Sequence, residues 1–136
     1  MARHFVAPLS ALPPGGRLLV EAGGRAIVLF NLAGDLFGLL NRCPHQGGPL
    51  CRGTQIGLAQ ADPAAPGQLR YTRQGEILRC PWHGWEFDIR TGLSRAEPAK
   101  LRTRTYPVGV AEPPAELPAA TTVPVHQAEG QIFVEL

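Results

Sequence analysis

Cysteine is scarce in this chain. There are three in 136 residues, so at least one stands outside any internal disulfide, and a secreted disulfide framework is a poor fit. Long apolar runs are missing as well. No stretch approaches the ~20 apolar residues of a membrane span, and the opening MARHFVAPLSALPPGG holds no apolar run long enough for the core of a signal peptide. These absences lead to the expectation of a cytoplasmic protein that is not in a membrane. A surplus of one charge sign is lacking too. Thirteen Lys and Arg against eleven Asp and Glu leave +2, too little to argue for nucleic acid or an acidic lipid surface. Helical periodicity is absent from every run of ten or more residues.

What is present is turn chemistry. Sixteen Gly and fourteen Pro divide the chain into short segments, while 44% hydrophobic and 18% charged residues are ordinary for a globular protein. The length suits one domain, residues 1–136, with a core of its own. Residues 17–21 (RLLVE) and 25–31 (RAIVLFN) flank Gly23-Gly24, a hairpin signal. Residues 36–40 follow a second turn at 33–35. Residues 69–73 and 76–79 bracket Gln74-Gly75 and are expected to pair as a hairpin. In 85–90 (WEFDIR) Trp85, Phe87 and Ile89 alternate with Glu86, Asp88 and Arg90, the period of a half-buried strand. Further strands are expected at 101–110, 120–126 and 132–136. The stretches 59–68 and 111–121 read as exposed loops. The expected fold is therefore all-β and mostly antiparallel.

One theme occurs twice. CPHQGG begins at Cys43 and CPWHGW at Cys80, so Cys43-x-His45 is followed, after 34 residues, by Cys80-x-x-His83. Two thiolates and two imidazoles form a metal-ligand set. Pro44 and Pro81 restrict the backbone within each loop, and Gly47, Gly48 and Gly84 leave room for close approach. Backbone N–H groups in such tight turns can point at a negatively charged sulfur. The set suits a tetrahedral Zn²⁺. It also suits a [2Fe–2S] cluster with both cysteines on one iron and both histidines on the other. Zinc knuckles usually pair like with like, whereas each loop here carries one residue of each kind.

CPHQGGPLCRG at 43–53 and CPWHGWEFDIRTG at 80–92 resemble the two cluster-binding loops of the Rieske family. Residues 27–42, Arg104–Val108 and the closing QIFVEL resemble the strands that flank those loops. The resemblance implies an antiparallel β-sandwich or barrel base carrying a small cluster-binding subdomain, about 41–98. It implies one [2Fe–2S] cluster, with Cys43 and Cys80 on one iron and His45 and His83 on the other. Ala96-Glu97-Pro98-Ala99 would be the third loop, the one that shields the cluster. Trp82 stands where the Rieske proteins of respiratory and photosynthetic complexes have a disulfide cysteine. Trp85 and Phe87 stand where those proteins carry hydroxyl donors to sulfur. Losing such donors lowers the potential, which is expected near the bottom of roughly −150 to +300 mV. The stretch 54–75 lengthens the span between the loops.

The function implied is one-electron transfer, as a low-potential ferredoxin passing electrons from a reductase to an oxygenase, without catalysis of its own. A terminal oxygenase would need a further iron site of two histidines and a carboxylate, and only His4 and His126 remain, 122 residues apart. Two alternatives stay open: a small Rieske-like subunit of a larger redox enzyme, and a zinc-binding interaction module. Cys51 is read as a small buried thiol, His4 and His126 as ordinary surface or loop residues, Trp85 and Phe87 as core, and Arg70 and Arg73 as solvated strand charges.

Overall fold

The structure is a computed structural model that describes residues 2–44, 47–82, 84–112 and 130–136. Ten strands follow one another: β1 (Arg3–Pro8), β2 (Arg17–Ala22), β3 (Arg25–Leu32), β4 (Asp35–Leu40), β5 (Thr54–Ala61), β6 (Leu69–Arg79), β7 (Glu86–Asp88), β8 (Thr105–Tyr106), β9 (Val108–Ala111) and β10 (Gln131–Glu135). Among the described residues there is no α-helix, only two short 3₁₀ turns. The strand pairings β1–β10, β10–β9, β2–β3, β5–β6 and β6–β7 are antiparallel. The all-β, antiparallel expectation holds.

The chain forms two compact units, residues 1–38 with 106–136, and residues 39–105. In the first unit, Gly23 and Gly24 both take positive φ (57° and 76°), the geometry of a two-residue hairpin turn between β2 and β3. Strand β3 is buried on both faces, with Ile27, Val28, Leu29 and Phe30 at 0% exposure. The buried Asn31 is satisfied in two directions: its Nδ2 donates to Leu12 O at 2.9 Å, and its Oδ1 accepts from Gly34 N at 2.7 Å. Strand β10, expected at 132–136, lies between β1 and β9.

The second unit holds the sheet β5-β6-β7. Its core is made of Leu39, Leu50, Ile77, Leu78, Phe87 and Ile89. Residues 69–73 and 76–79 do not pair with each other. Both halves of the eleven-residue β6 pair with β5, whose register jumps from Ile56↔Ile77 to Leu58↔Thr72. The turn residues are real, but they form a bulge inside one strand. Arg73 (φ 50°) and Gly75 (φ 81°) supply the backbone reversal. The true hairpin turn is Asp62–Gln68, closed by Asp62 N donating to Gln68 O and by Ala64 N donating to Asp62 Oδ1. Residues 59–61 of the expected loop therefore belong to β5.

Two further elements are shorter than expected. Strand β7 ends at Asp88, whose Oδ1 accepts from Arg90 N and whose backbone O accepts from Gly92 N, turning the chain away. The 101–110 segment is a single bridge (Leu93↔Arg102) followed by β8 and β9, separated at Pro107, which has no N–H to continue a ladder. The strand expected at 120–126 lies outside the described residues.

Candidate metal centre

Both cysteine loops belong to the second unit. The first loop turns back on itself at Cys43: its N–H donates to Gly48 O at 2.8 Å, and its carbonyl accepts from Gly47 N at 2.7 Å. Asn41 Oδ1 accepts from Cys51 N at 2.6 Å and ties the loop's far side to its entry. The second loop is closed at its base by Cys80 N donating to Trp85 O at 2.7 Å. One step outside that bond, Arg79 and Glu86 face each other across β6 and β7 and form a 2.9 Å ion pair.

These turns bring the two thiols side by side. Cys43 and Cys80 are each only 1% exposed and neither is in a disulfide. Burial pushes the Cys80 thiol up from its ordinary value; the Trp82 N–H, 3.4 Å from Sγ, pulls the other way, and the neighbouring Cys43 sulfur raises it again. A buried thiol pushed up in this way ionises readily only beside a cation, so Cys80, with the Cys43 thiol next to it, suits a metal centre. Space around the pair is tight. A Cβ built on Gly48 would stand 3.0 Å from Cys80 Sγ and 3.0 Å from Trp82 Cγ. The indole of Trp82 thus lies against the first loop while remaining half-exposed at the surface.

His45 and His83 lie outside the described residues, as does His126. His4, expected as an ordinary histidine, is part-buried in β1, in the other unit. Phe87 is core, at 0% exposure, but Trp85 is only part-buried. Cys51 is part-buried rather than buried, because it sits in the 3₁₀ turn Leu50–Arg52, where Leu50 alone points fully inward. Arg73 is no free surface charge: its guanidinium reaches Glu76 at 2.8 Å and Asp88 at 2.8 Å. The third stretch does approach the second loop. Arg95 N donates to Glu86 O at 2.8 Å, and Arg95 and Ala96 line one shallow surface pocket together with Gly84, Trp85 and Glu86. The close approach expected at Gly48 is there, but the group that makes it, the Trp82 indole beside Cys80 Sγ, was not identified from the sequence.

The family model for the Rieske [2Fe-2S] domain matches residues 2–107. The chain belongs to the Rieske [2Fe–2S] domain family. Its cofactor is accordingly one Rieske-type [2Fe–2S] cluster, which the paired buried thiols fit and which displaces the zinc alternative. Among similar proteins is the 3-phenylpropionate/cinnamic acid dioxygenase ferredoxin subunit of Escherichia coli K12, 26% identical over 136 residues, covering 100% of this chain and 95% of that one. The ferredoxin of carbazole 1,9a-dioxygenase from Nocardioides aromaticivorans IC177 shares the fold, with a TM-score of 0.66, 22% identity and coverage of 98% and 97%. So does the Sphingomonas yanoikuyae B1 ferredoxin, at 0.61, 22%, and 99% of each chain. Among the described residues of this Rieske protein, no helix is long and apolar enough to cross a membrane.

Proposed function

We propose that the protein is a one-electron carrier whose cluster is held by Cys43 and Cys80 on one iron and by His45 and His83 on the other. It serves as the ferredoxin component between a reductase and an oxygenase in the cytoplasm. The observation that carries this reading is the pair of buried, unbridged thiols that two tight loops bring together. The likeness over full length to a dioxygenase ferredoxin subunit supports the place in the electron chain. We read residues 1–136 as one domain with a cluster-binding subdomain at about 41–98; the compact unit 39–105 supports that division.

When bound, the cluster supplies a centre that gains and loses one electron. The chain's own part is to bury the thiolates and, although the Trp82 backbone N–H donates to Cys80 Sγ, to offer no hydroxyl donor at Trp85 or Phe87. The potential is therefore expected near the lower end of about −150 to +300 mV.

EPR on the anaerobically purified protein, before and after dithionite, tests the reading. A rhombic signal that arises on reduction, with an average g below that of all-cysteine clusters, is expected. His45→Ala and His83→Ala should each abolish it, while His4→Ala should leave it intact. No signal in either state, or a potential well above zero, overturns the corresponding part of the proposal.

A further inference from the structure

The net charge of +2 conceals a partition. Within the unit 39–105 there are ten Arg and Lys against five Asp and Glu, a net +5, whereas residues 1–38 with 106–136 carry three against six, a net −3. Three carboxylates of the positive unit are already neutralised: Glu76 by Arg73 and Arg90, Asp88 by Arg73, and Glu86 by Arg79. Only Asp62 and Glu97 remain, and Asp62 accepts a bond from Ala64 N in the β5–β6 turn.

Of the other cations of this unit, Arg42, Arg52 and Arg95 border the cysteine loops, while Arg70 lies in β6 beyond them. Arg42 precedes Cys43, and its Nε lies 3.4 Å from where a Cβ on Gly47 would stand. Arg52 closes the first loop's 3₁₀ turn. Arg95 shares the pocket with Gly84 and Trp85 of the second loop. Lys100 and Arg102 follow on the same stretch. Arg42, Arg52, Arg95, Lys100 and Arg102 are exposed, and none is paired with a carboxylate among the described residues. Between the loops stands Trp82, 48% exposed, a large aromatic of the kind that anchors interfaces.

We infer that the loop-bearing unit docks its redox partner through this face, where Arg42, Arg52 and Arg95 border Trp82 and the loops, and that the partner's matching surface is acidic. The inference rests on the carrier reading and adds the partner's chemistry to it. Unpaired cations around an electron exit raise the local concentration of an anionic partner and speed encounter, an effect that salt screens over a Debye length of about 10 Å at 0.1 M.

Two probes of opposite charge test it. Dithionite-reduced protein, freed of excess reductant, is mixed in stopped flow with ferricyanide or with hexaammineruthenium(III). One electron leaves the protein and reduces one molecule of either reagent. Between about 10 and 300 mM NaCl the ferricyanide rate should fall roughly tenfold and the ruthenium rate should rise. Arg52→Glu/Arg95→Glu should flatten both slopes, with Arg52→Gln/Arg95→Gln intermediate, while the EPR signal is unchanged. Independently of electron flow, calorimetry should show low-salt binding of polyglutamate to the wild type, weakened at least fivefold in the double Glu variant, and none of polylysine. A flat or inverted ferricyanide slope, variants that match the wild type, or tighter binding of a single-stranded oligonucleotide than of polyglutamate would each overturn the inference. If neither reagent oxidises the protein, the carrier reading itself falls.

Discussion

A single methyl group decides whether the two cysteine loops can close on each other. Gly48 has no side chain, and the space a Cβ would need is held by Cys80 Sγ at 3.0 Å, Trp82 Cγ at 3.0 Å and Trp82 Cδ2 at 3.1 Å. Real Cβ contacts are rarely so short, so Gly48→Ala must push the second loop outward. Because the displaced atoms include a proposed ligand sulfur, the effect should reach the cluster as well as the fold. An overpacked site of this kind typically costs ~1–3 kcal/mol. Iron and sulfide content of the purified Gly48→Ala protein should fall by half or more relative to wild type. Trp82→Ala, which removes part of the obstruction, should partly restore it in the double variant. Full cluster content in Gly48→Ala alone would show that the loops have slack that the contacts deny. The paired Cys/His spacing was legible in the sequence because ligand chemistry is local. The Gly48–Trp82 contact was not, since it joins residues that only the fold brings together.

At the level of elements, the bulge in β6 is held by charge. Arg73 bridges Glu76 and Asp88, and Arg90 Nε adds a second bond to Glu76 Oε1 at 2.9 Å, so a single carboxylate joins the bulge to the turn after β7. The bond from Arg90, then that from Arg73, holds the Glu76 carboxyl below its ordinary value. A carboxylate with a depressed folded-state pKa stabilises above its unfolded pKa, and that contribution is lost as pH falls through the lower folded value. Wild type should therefore melt higher than Glu76→Gln at pH 7. The gap should close as pH drops below about 4.3, the ordinary Glu value. A melting difference that stays constant from pH 7 to pH 3 would remove charge from the account. This network also explains what the sequence misled on. Gln74-Gly75 carries a true turn signal, yet the residues on either side pair with β5, because β5 offers a longer partner than either half offers the other. Strand β1, by contrast, gave little signal: RHFVAP alternates only weakly, and β10, with which it pairs, lies over a hundred residues later in the chain. The hairpin β2–β3 was legible because Gly23-Gly24 and the flanking apolar runs agree.

Over the whole molecule, the two units differ in what fills them. The unit 1–38 with 106–136 buries Leu12, Ile27, Val28, Leu29, Phe30, Leu32, Ile132 and Val134, an apolar core with no cysteine in it. The unit 39–105 buries fewer large apolar side chains and places Cys43 and Cys80 among them, so part of its interior is a pair of ligand thiols. Stability within one chain is not uniform, and segments with smaller cores open first. A metal that binds only the folded form adds its binding free energy to that unit's stability, and removing it takes that increment away. Iron-depleted protein should then lose amide protection selectively. Exchange measured by mass spectrometry should quicken at least tenfold in the peptides spanning 41–53 and 77–95. Peptides from β2 and β3 should keep protection close to that of the loaded protein, because their hydrogen bonds and burial involve no ligand loop. The local outcome would make the loop-bearing unit a cofactor-dependent folding element on a base that stands without it. Equal loss in both units would instead show that the 136 residues open as one cooperative body. In that case the +5 and −3 halves could not respond separately to cluster loss, and the base would depend on the cluster as much as the loops do.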